Sequence, residues 1–156
     1  LTKTPEQPLG NLNPGLEILM AEDDAGHATL IRNNLRSTGI INPIRHFADG
    51  QQILDVLLGE VVNNSTGHIA NRYLLLLDIR MPKVSGEEVL RRIREHPRLR
   101  VIPVIILTTT DDPREIRRCH ELGCNEYITK PVEYDQFVAV IQRLGFFLQI
   151  VRVPPV

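Results

Sequence analysis

A chain of 156 residues with a formal net charge of -1 has room for one domain with a full core, and no general attraction for nucleic acid or an anionic membrane. Its longest apolar stretches fall far short of the about 20 residues a membrane helix needs, and it shows neither a secretory signal pattern nor a zinc-finger spacing. A cytoplasmic protein is expected, one that binds neither membrane nor nucleic acid.

Residues 1–15 are rich in Pro, Asn and Gln without an apolar period and read as a flexible arm. Leu16 to Met20 is strand-like and runs into the acidic turn Glu22-Asp23-Asp24. Ala28, Ile31 and Leu35 then recur at helical spacing until Gly39 offers a stop. Ile44 to Phe47 supplies a second strand, Asp49-Gly50 a turn, and Ile53, Leu54, Leu57 and Leu58 the inner face of a second helix. The stretch from Gly59 to Arg72 holds Asn63-Asn64-Ser65-Thr66-Gly67 and reads as a long surface loop, either a binding element or a tolerated insertion.

Leu74-Leu75-Leu76-Leu77 is apolar without alternation, the pattern of a strand buried on both faces of a parallel sheet, and it ends at Asp78. A loop through Pro82 to Gly86 follows. The next helix should turn Val89, Leu90 and Ile93 to the sheet and Arg91, Arg92, Arg94 and Glu95 to water. Val104 to Leu107 gives a fourth strand ending at Thr108, and Asp111-Asp112-Pro113 a helix start with Ile116 and Cys119 inward. Glu126-Tyr127-Ile128 is a short fifth strand before Thr129-Lys130-Pro131. From Tyr134 a last helix aligns Phe137, Val140, Ile141, Leu144 and Leu148. Strands alternating with helices imply a doubly wound α/β fold.

Phe146, Phe147, Ile150, Val151 and Val153 exceed what one stripe requires. They form either an interface or a tail folded onto its own domain. Cys119 and Cys124 read as reduced, packed side chains, and the five histidines show no ligand spacing, so solvated or locally bonded rings are the default.

In a parallel sheet the strand ends share one edge, outside which ligands bind. That edge should gather Glu22, Asp23, Asp78, Thr108 and Lys130. Asp78 by itself could simply cap the following turn, and a Lys130–Asp78 ion pair would explain those two, though not the other acids or the hydroxyl. The acidic turn Ala21-Glu22-Asp23-Asp24-Ala25-Gly26 is no phosphate-cradling glycine loop. A divalent cation resolves the repulsion between carboxylates and phosphate. Mg²⁺ suits a few carboxylates with waters and phosphate oxygens, with Asp23 and Asp78 as ligands and Glu22 acting through water. Asp78 can also be a nucleophile that becomes an aspartyl phosphate, Lys130 a phosphate-binding point charge, and Thr108 a neutral donor.

With these residues in register the chain, over about Leu16 to Gly145, closely resembles the receiver domain of two-component response regulators. The resemblance rests on Glu22-Asp23, on Asp78-Ile79-Arg80-Met81-Pro82 with Gly86 beyond it, and on Thr108, Tyr127 and Lys130-Pro131. It implies a flavodoxin-like (βα)5 fold with strand order 2-1-3-4-5, divided into a receiver at 16–145 and an apolar C-terminal extension at 146–156. It further implies phosphorylation of Asp78 by a sensor histidine kinase with Mg²⁺, for which Mn²⁺ can substitute. The backbone carbonyl of Arg80 would be the third protein ligand, Thr108 and Tyr127 the switch pair, Thr109 a small neighbour that leaves the phosphate accessible, and Lys130-Pro131 a cis bond.

The long segment before Tyr73, the Leu107-Thr108-Thr109-Thr110 stretch and the apolar tail resemble, more narrowly, the stand-alone regulators of phytochrome kinases. That implies a phytochrome-type donor and a homodimer through the fourth helix, fifth strand, last helix and tail. The expected output is conformational, since no effector domain follows, and the expected chemistry is limited to the protein's own phosphorylation and dephosphorylation. Arg80 is expected to shield the phosphoryl group and slow its loss. A phosphatase of the haloacid-dehalogenase kind would need an acid where Arg80 stands. A receiver that only docks would be suggested by loss of Glu22, Asp78 or Lys130, and all are present.

Overall fold

The computed structural model describes residues 13–61 and 72–156, and in them five strands alternate with five α-helices. In chain order these are β1 (Leu16–Ala21), α1 (Ala25–Ser37), β2 (Ile44–Phe47), α2 (Gly50–Val56), β3 (Arg72–Leu77), α3 (Gly86–Glu95), β4 (Val104–Thr108), α4 (Pro113–Leu122), β5 (Glu126–Thr129) and α5 (Tyr134–Leu148). All strand pairs are parallel, in the order β2-β1-β3-β4-β5, which is the expected flavodoxin-like arrangement.

The unbroken apolar run of β3 follows from having two cores to serve. Side chains alternate across a strand. Tyr73, Leu75 and Leu77 therefore join Leu19, Val104 and Ile106 beneath Ile53, Leu54, Val89 and Ile93 of α2 and α3. Leu74 and Leu76 join Ile18, Met20 and Ile105 beneath Ile31, Leu35, Phe137 and Ile141 of α1 and α5. The five residues from Tyr73 to Leu77 are each 5% exposed or less, so neither face of the strand tolerates a polar group.

Helix starts bring further polar groups to the edge where the strands end. Asp24, Asp49, Ser85 and Asp112 each accept a backbone N–H of the helix that follows, from His27, Gln52, Glu88 and Arg114. Gly50 is the first residue of α2 rather than part of the preceding turn. A Cβ on it would lie 2.0 Å from the carbonyl oxygen of Val84, so the absent side chain lets α2 dock against the loop after β3.

Several boundaries differ from expectation. Asn13, expected in the arm, is tied to the domain: its buried amide donates to Val151 O and accepts from Val153 N, both at 2.7 Å. Arg72 adds bonds to Val153 O at 3.0 Å and Pro14 O at 2.7 Å. Only residues 1–12 of the expected arm lie outside the described residues. α5 runs through to Leu148, so the expected division at 145/146 falls inside a helix. Leu57–Val61 forms a π-helical turn and Arg72 opens β3, while residues 62–71 of the expected loop lie outside the described residues.

Arg94 does not face water as expected. Its guanidinium donates to the carbonyls of Gly123 (2.8 Å), Ile102 (2.6 Å) and Arg100 (3.0 Å) and to Asn125 Oδ1 (3.0 Å). A planar, weakly hydrated fork suits such a cluster of loop carbonyls. On α4, Glu115 rather than Ile116 is the buried neighbour of Cys119. Both cysteines are free and buried. No helix among the described residues is long and apolar enough to cross a membrane.

Candidate functional site

β1, β3, β4 and β5 end together and hand over one polar side chain each. Ala21 is level with Leu77, so Glu22 and Asp78 emerge side by side, and Asp78 N donates to Ala21 O at 3.0 Å. Glu22 is fastened by its amide to Phe47 O at 2.9 Å, and Lys130 by its amide to Thr108 O at 2.7 Å. Glu22, Asp78, Thr108 and Lys130 are all buried although they carry polar groups.

The Lys130 ammonium lies 2.5 Å from Glu22 Oε2 and 3.2 Å from Asp78 Oδ2. Glu22, Asp23 and Asp78 each offer an oxygen within 4.8 Å of the others, with Asp23 on the exposed side. Burial pushes the Glu22 carboxyl up to about 7, the nearby Asp78 charge adds to the rise, and Lys130 opposes it. One ammonium among three carboxylates leaves an excess of negative charge, and three convergent hard oxygens with one open side suit a divalent cation that keeps some of its waters.

Thr108 provides the second test of fit. It is 0% exposed, and its Oγ1 has no hydrogen-bond partner among the described residues. A buried hydroxyl without a partner costs about 1–3 kcal/mol, and a phosphoryl oxygen beside Lys130 would give it an acceptor.

The remaining expected residues are placed as follows. Arg80 and Thr109 are exposed on the loops after β3 and β4. Tyr127 is half-buried against the first core, and its hydroxyl donates to Thr110 O at 2.7 Å; burial raises its pKa. No cis peptide bond occurs among the described residues, so Lys130-Pro131 is trans, contrary to expectation. Trans is the favoured isomer by roughly 0.5–1 kcal/mol, and Lys130 already reaches both carboxylates from it, so the site places no demand for the other.

The expected interface set divides. Val153 is buried in the second core and Val151 packs against it, whereas Phe146, Phe147 and Ile150 are 61%, 43% and 64% exposed. The tail thus folds back in part, since Asn13 and Arg72 bind its backbone.

Two histidines read as incidental belong to the site. His27 Nδ1 lies 3.2 Å from Lys130 Nζ, and His46 Nε2 lies 2.6 Å from the carbonyl oxygen of Glu22. The available signal was position rather than spacing. His27 follows the acidic turn directly within the first turn of α1, and His46 is the next-to-last residue of β2, level with Met20.

Comparison with known proteins shows the family. The family model described as "Response regulator receiver domain" matches residues 18–142. Response regulator Rcp1 of Synechocystis sp. is 31% identical over 145 residues, covering 91% of this chain and 95% of that one. A solved Mn²⁺-bound form of Rcp1 superposes with a TM-score of 0.77 at 30% identity, covering 88% of this chain and 98% of that one. A response regulator receiver domain from Rhodospirillum rubrum is 45% identical with a TM-score of 0.82, covering 89% of this chain and 97% of its own. The bacteriophytochrome response regulator RtBRR is 38% identical with a TM-score of 0.64, covering 89% and 83%. Since the matched span takes in the acidic turn, the central strand and Lys130 alike, the chain belongs to the response regulator receiver family.

Proposed function

We propose that this receiver domain accepts a phosphoryl group from a sensor histidine kinase onto Asp78 in a Mg²⁺-dependent reaction, and signals by reshaping the face formed by α4, β5 and α5. One observation carries the reading. The carboxylate of Asp78 shares a 4.8 Å cluster with Glu22 and Asp23, and beside it lies the buried ammonium of Lys130.

An Asp78 oxygen forms the new P–O bond as the bond from phosphorus to the donor imidazole nitrogen breaks; that nitrogen keeps the electron pair, and because the other ring nitrogen carries a proton the donor departs as neutral imidazole. Asp23, Asp78 and the Arg80 carbonyl would hold a Mg²⁺ or Mn²⁺ ion, with Glu22 acting through water, and such an ion would supply neutralisation of the charge on the phosphoryl oxygens. Lys130 holds one anionic oxygen and Thr108 donates to another. Tyr127 gives up its bond to Thr110 and follows Thr108 inward, a population shift biased by the new hydrogen bonds.

The name of RtBRR, a bacteriophytochrome response regulator, supports a phytochrome-type kinase as donor, and we infer a cytoplasmic setting for that exchange. Exposed Phe146, Phe147 and Ile150 on and after α5 support a homodimer through that face. Chemistry is confined to the protein's own phosphate: Arg80 shields it and slows its loss, and the small, exposed Thr109 leaves it open to a kinase.

Incubation with Mg²⁺ and acetyl phosphate, followed by intact-mass measurement, tests the assignment. One added phosphate in the parent and none in Asp78→Asn is the expected result. Equal labelling of both would remove Asp78 from the role. Arg80→Ala should lose its phosphate faster than the parent.

A further inference from the structure

An ammonium has three N–H bonds to give, and three acceptors surround Lys130 Nζ: Glu22 Oε2 at 2.5 Å, Asp78 Oδ2 at 3.2 Å and His27 Nδ1 at 3.2 Å. Two of them are carboxylates. The third is a ring nitrogen on another element. Lys130 can only donate, so the contact is a hydrogen bond in the tautomer whose Nδ1 carries the lone pair and whose ring hydrogen sits on Nε2. The ring is held from two further sides as well. It stands edge-on to Phe137 of α5, with centroids 5.5 Å apart and planes at 81°, and its Nε2 faces Asp24 Oδ2 at 3.9 Å.

We propose that His27 is a positioning residue for phosphoryl transfer at Asp78, its Nδ1 anchoring one N–H of Lys130 so that the ammonium stays beside the reacting carboxylate with its charge intact. The inference deepens the proposed function and rests on it. A lysine ammonium rotates about a long, flexible stem, and Glu22 makes the shorter, charge-assisted contact, which by itself would draw Lys130 away from Asp78. A third, uncharged anchor fixes the rotation of the ammonium without competing for its charge. A carboxylate at this place would spend on itself the attraction that the phosphoryl oxygens need. The N–H now given to Asp78 is the one free to turn to an incoming phosphoryl oxygen, while those held by His27 and Glu22 keep their partners.

The test compares His27→Leu, which removes the acceptor, with His27→Asn, whose amide oxygen can take the place of Nδ1. Three quantities are read for each: the initial rate of Asp78 phosphorylation by acetyl phosphate at saturating Mg²⁺, Mg²⁺ affinity by calorimetry, and the thermal midpoint. The expected result is a rate about tenfold lower in His27→Leu, in keeping with loss of one hydrogen bond to a charged group, and recovery in His27→Asn to within about threefold of the parent. Mg²⁺ affinity and midpoint should stay near parental values in both. A folded His27→Leu as fast as the parent, or a folded His27→Asn as slow as His27→Leu, overturns the proposal. Should His27→Leu fail to fold, His27→Ala serves in its place with the same two outcomes. A parent that takes no phosphate, or an Asp78→Asn variant that takes as much, overturns the phosphoacceptor reading itself, so the two failures are distinguishable.

Discussion

The Cα of Gly86 lies so close to the backbone carbonyl of Asp78 that a Cβ there would stand 2.1 Å from that oxygen and 2.7 Å from the Cα of Ile79. The first turn of α3 thus braces the backbone of the reacting residue, with Gly86 N donating to Ile79 O at 2.7 Å. Gly86→Ala should lower stability by about 1–3 kcal/mol in urea titrations and slow acetyl phosphate labelling, because a rigid carbonyl has to move. Gly59→Ala is the contrast. Its Cβ would meet nothing within 4 Å, and its stability should match or exceed the parent's by up to about 1 kcal/mol.

Removing the Thr108 hydroxyl should stabilise the unphosphorylated protein. Oγ1 is buried without a partner, and valine has the same shape, so Thr108→Val should raise the urea-derived stability by about 1 kcal/mol. The variant should still take up phosphate while the Tyr127 ring resonances no longer respond to it. A destabilised Thr108→Val would mean that the hydroxyl already has a use in the resting state.

Burial pushes the Cys119 thiol up to about 12 and raises that of Cys124 as well. At pH 8 both should resist a thiol reagent in the native protein and react once it is unfolded. The sign of the stability effect follows from proton binding. Above the ordinary value of 9.0 the unfolded chain loses the Cys119 proton while the native state keeps it. Stability should therefore fall as pH rises from about 9 to about 12, by at most about 1.4 kcal/mol per unit from this group. Cys119→Ala should reduce that slope in urea titrations at several pH values.

The two bonds between Asn13 and the tail span nearly the whole chain, from position 13 to 151 and 153. Asn13→Ala should cost about 1–3 kcal/mol and make the C-terminal residues more susceptible to limited proteolysis, because the Val153 N–H then loses its acceptor over the second core. An unchanged digestion pattern would show that Arg72 and Val153 hold the tail without it.

What the sequence by itself determined is whatever depends on local pattern. An unalternating Leu74–Leu77 of strand length reads as a strand covered on both faces, and the polar residue where each apolar run stops marks the edge of a parallel sheet. That sufficed for the fold and for the gathering of Glu22, Asp78, Thr108 and Lys130, since parallel strands bring equivalent ends together wherever they fall in the chain. Tertiary structure alone decided what depends on distance through space between unlike elements. His27 meets Lys130 from 103 positions away, Arg94 finds carbonyls of two separate segments, and Asn13 binds a tail that by composition alone could have faced a partner. The Lys130–Pro131 isomer belongs to the same class, because the two forms differ by so little that the surroundings choose between them. Polar side chains carry no periodic signature of their partners. Whether a histidine, arginine or asparagine is solvated or bonded within the fold is settled only when packing brings a specific donor or acceptor within reach.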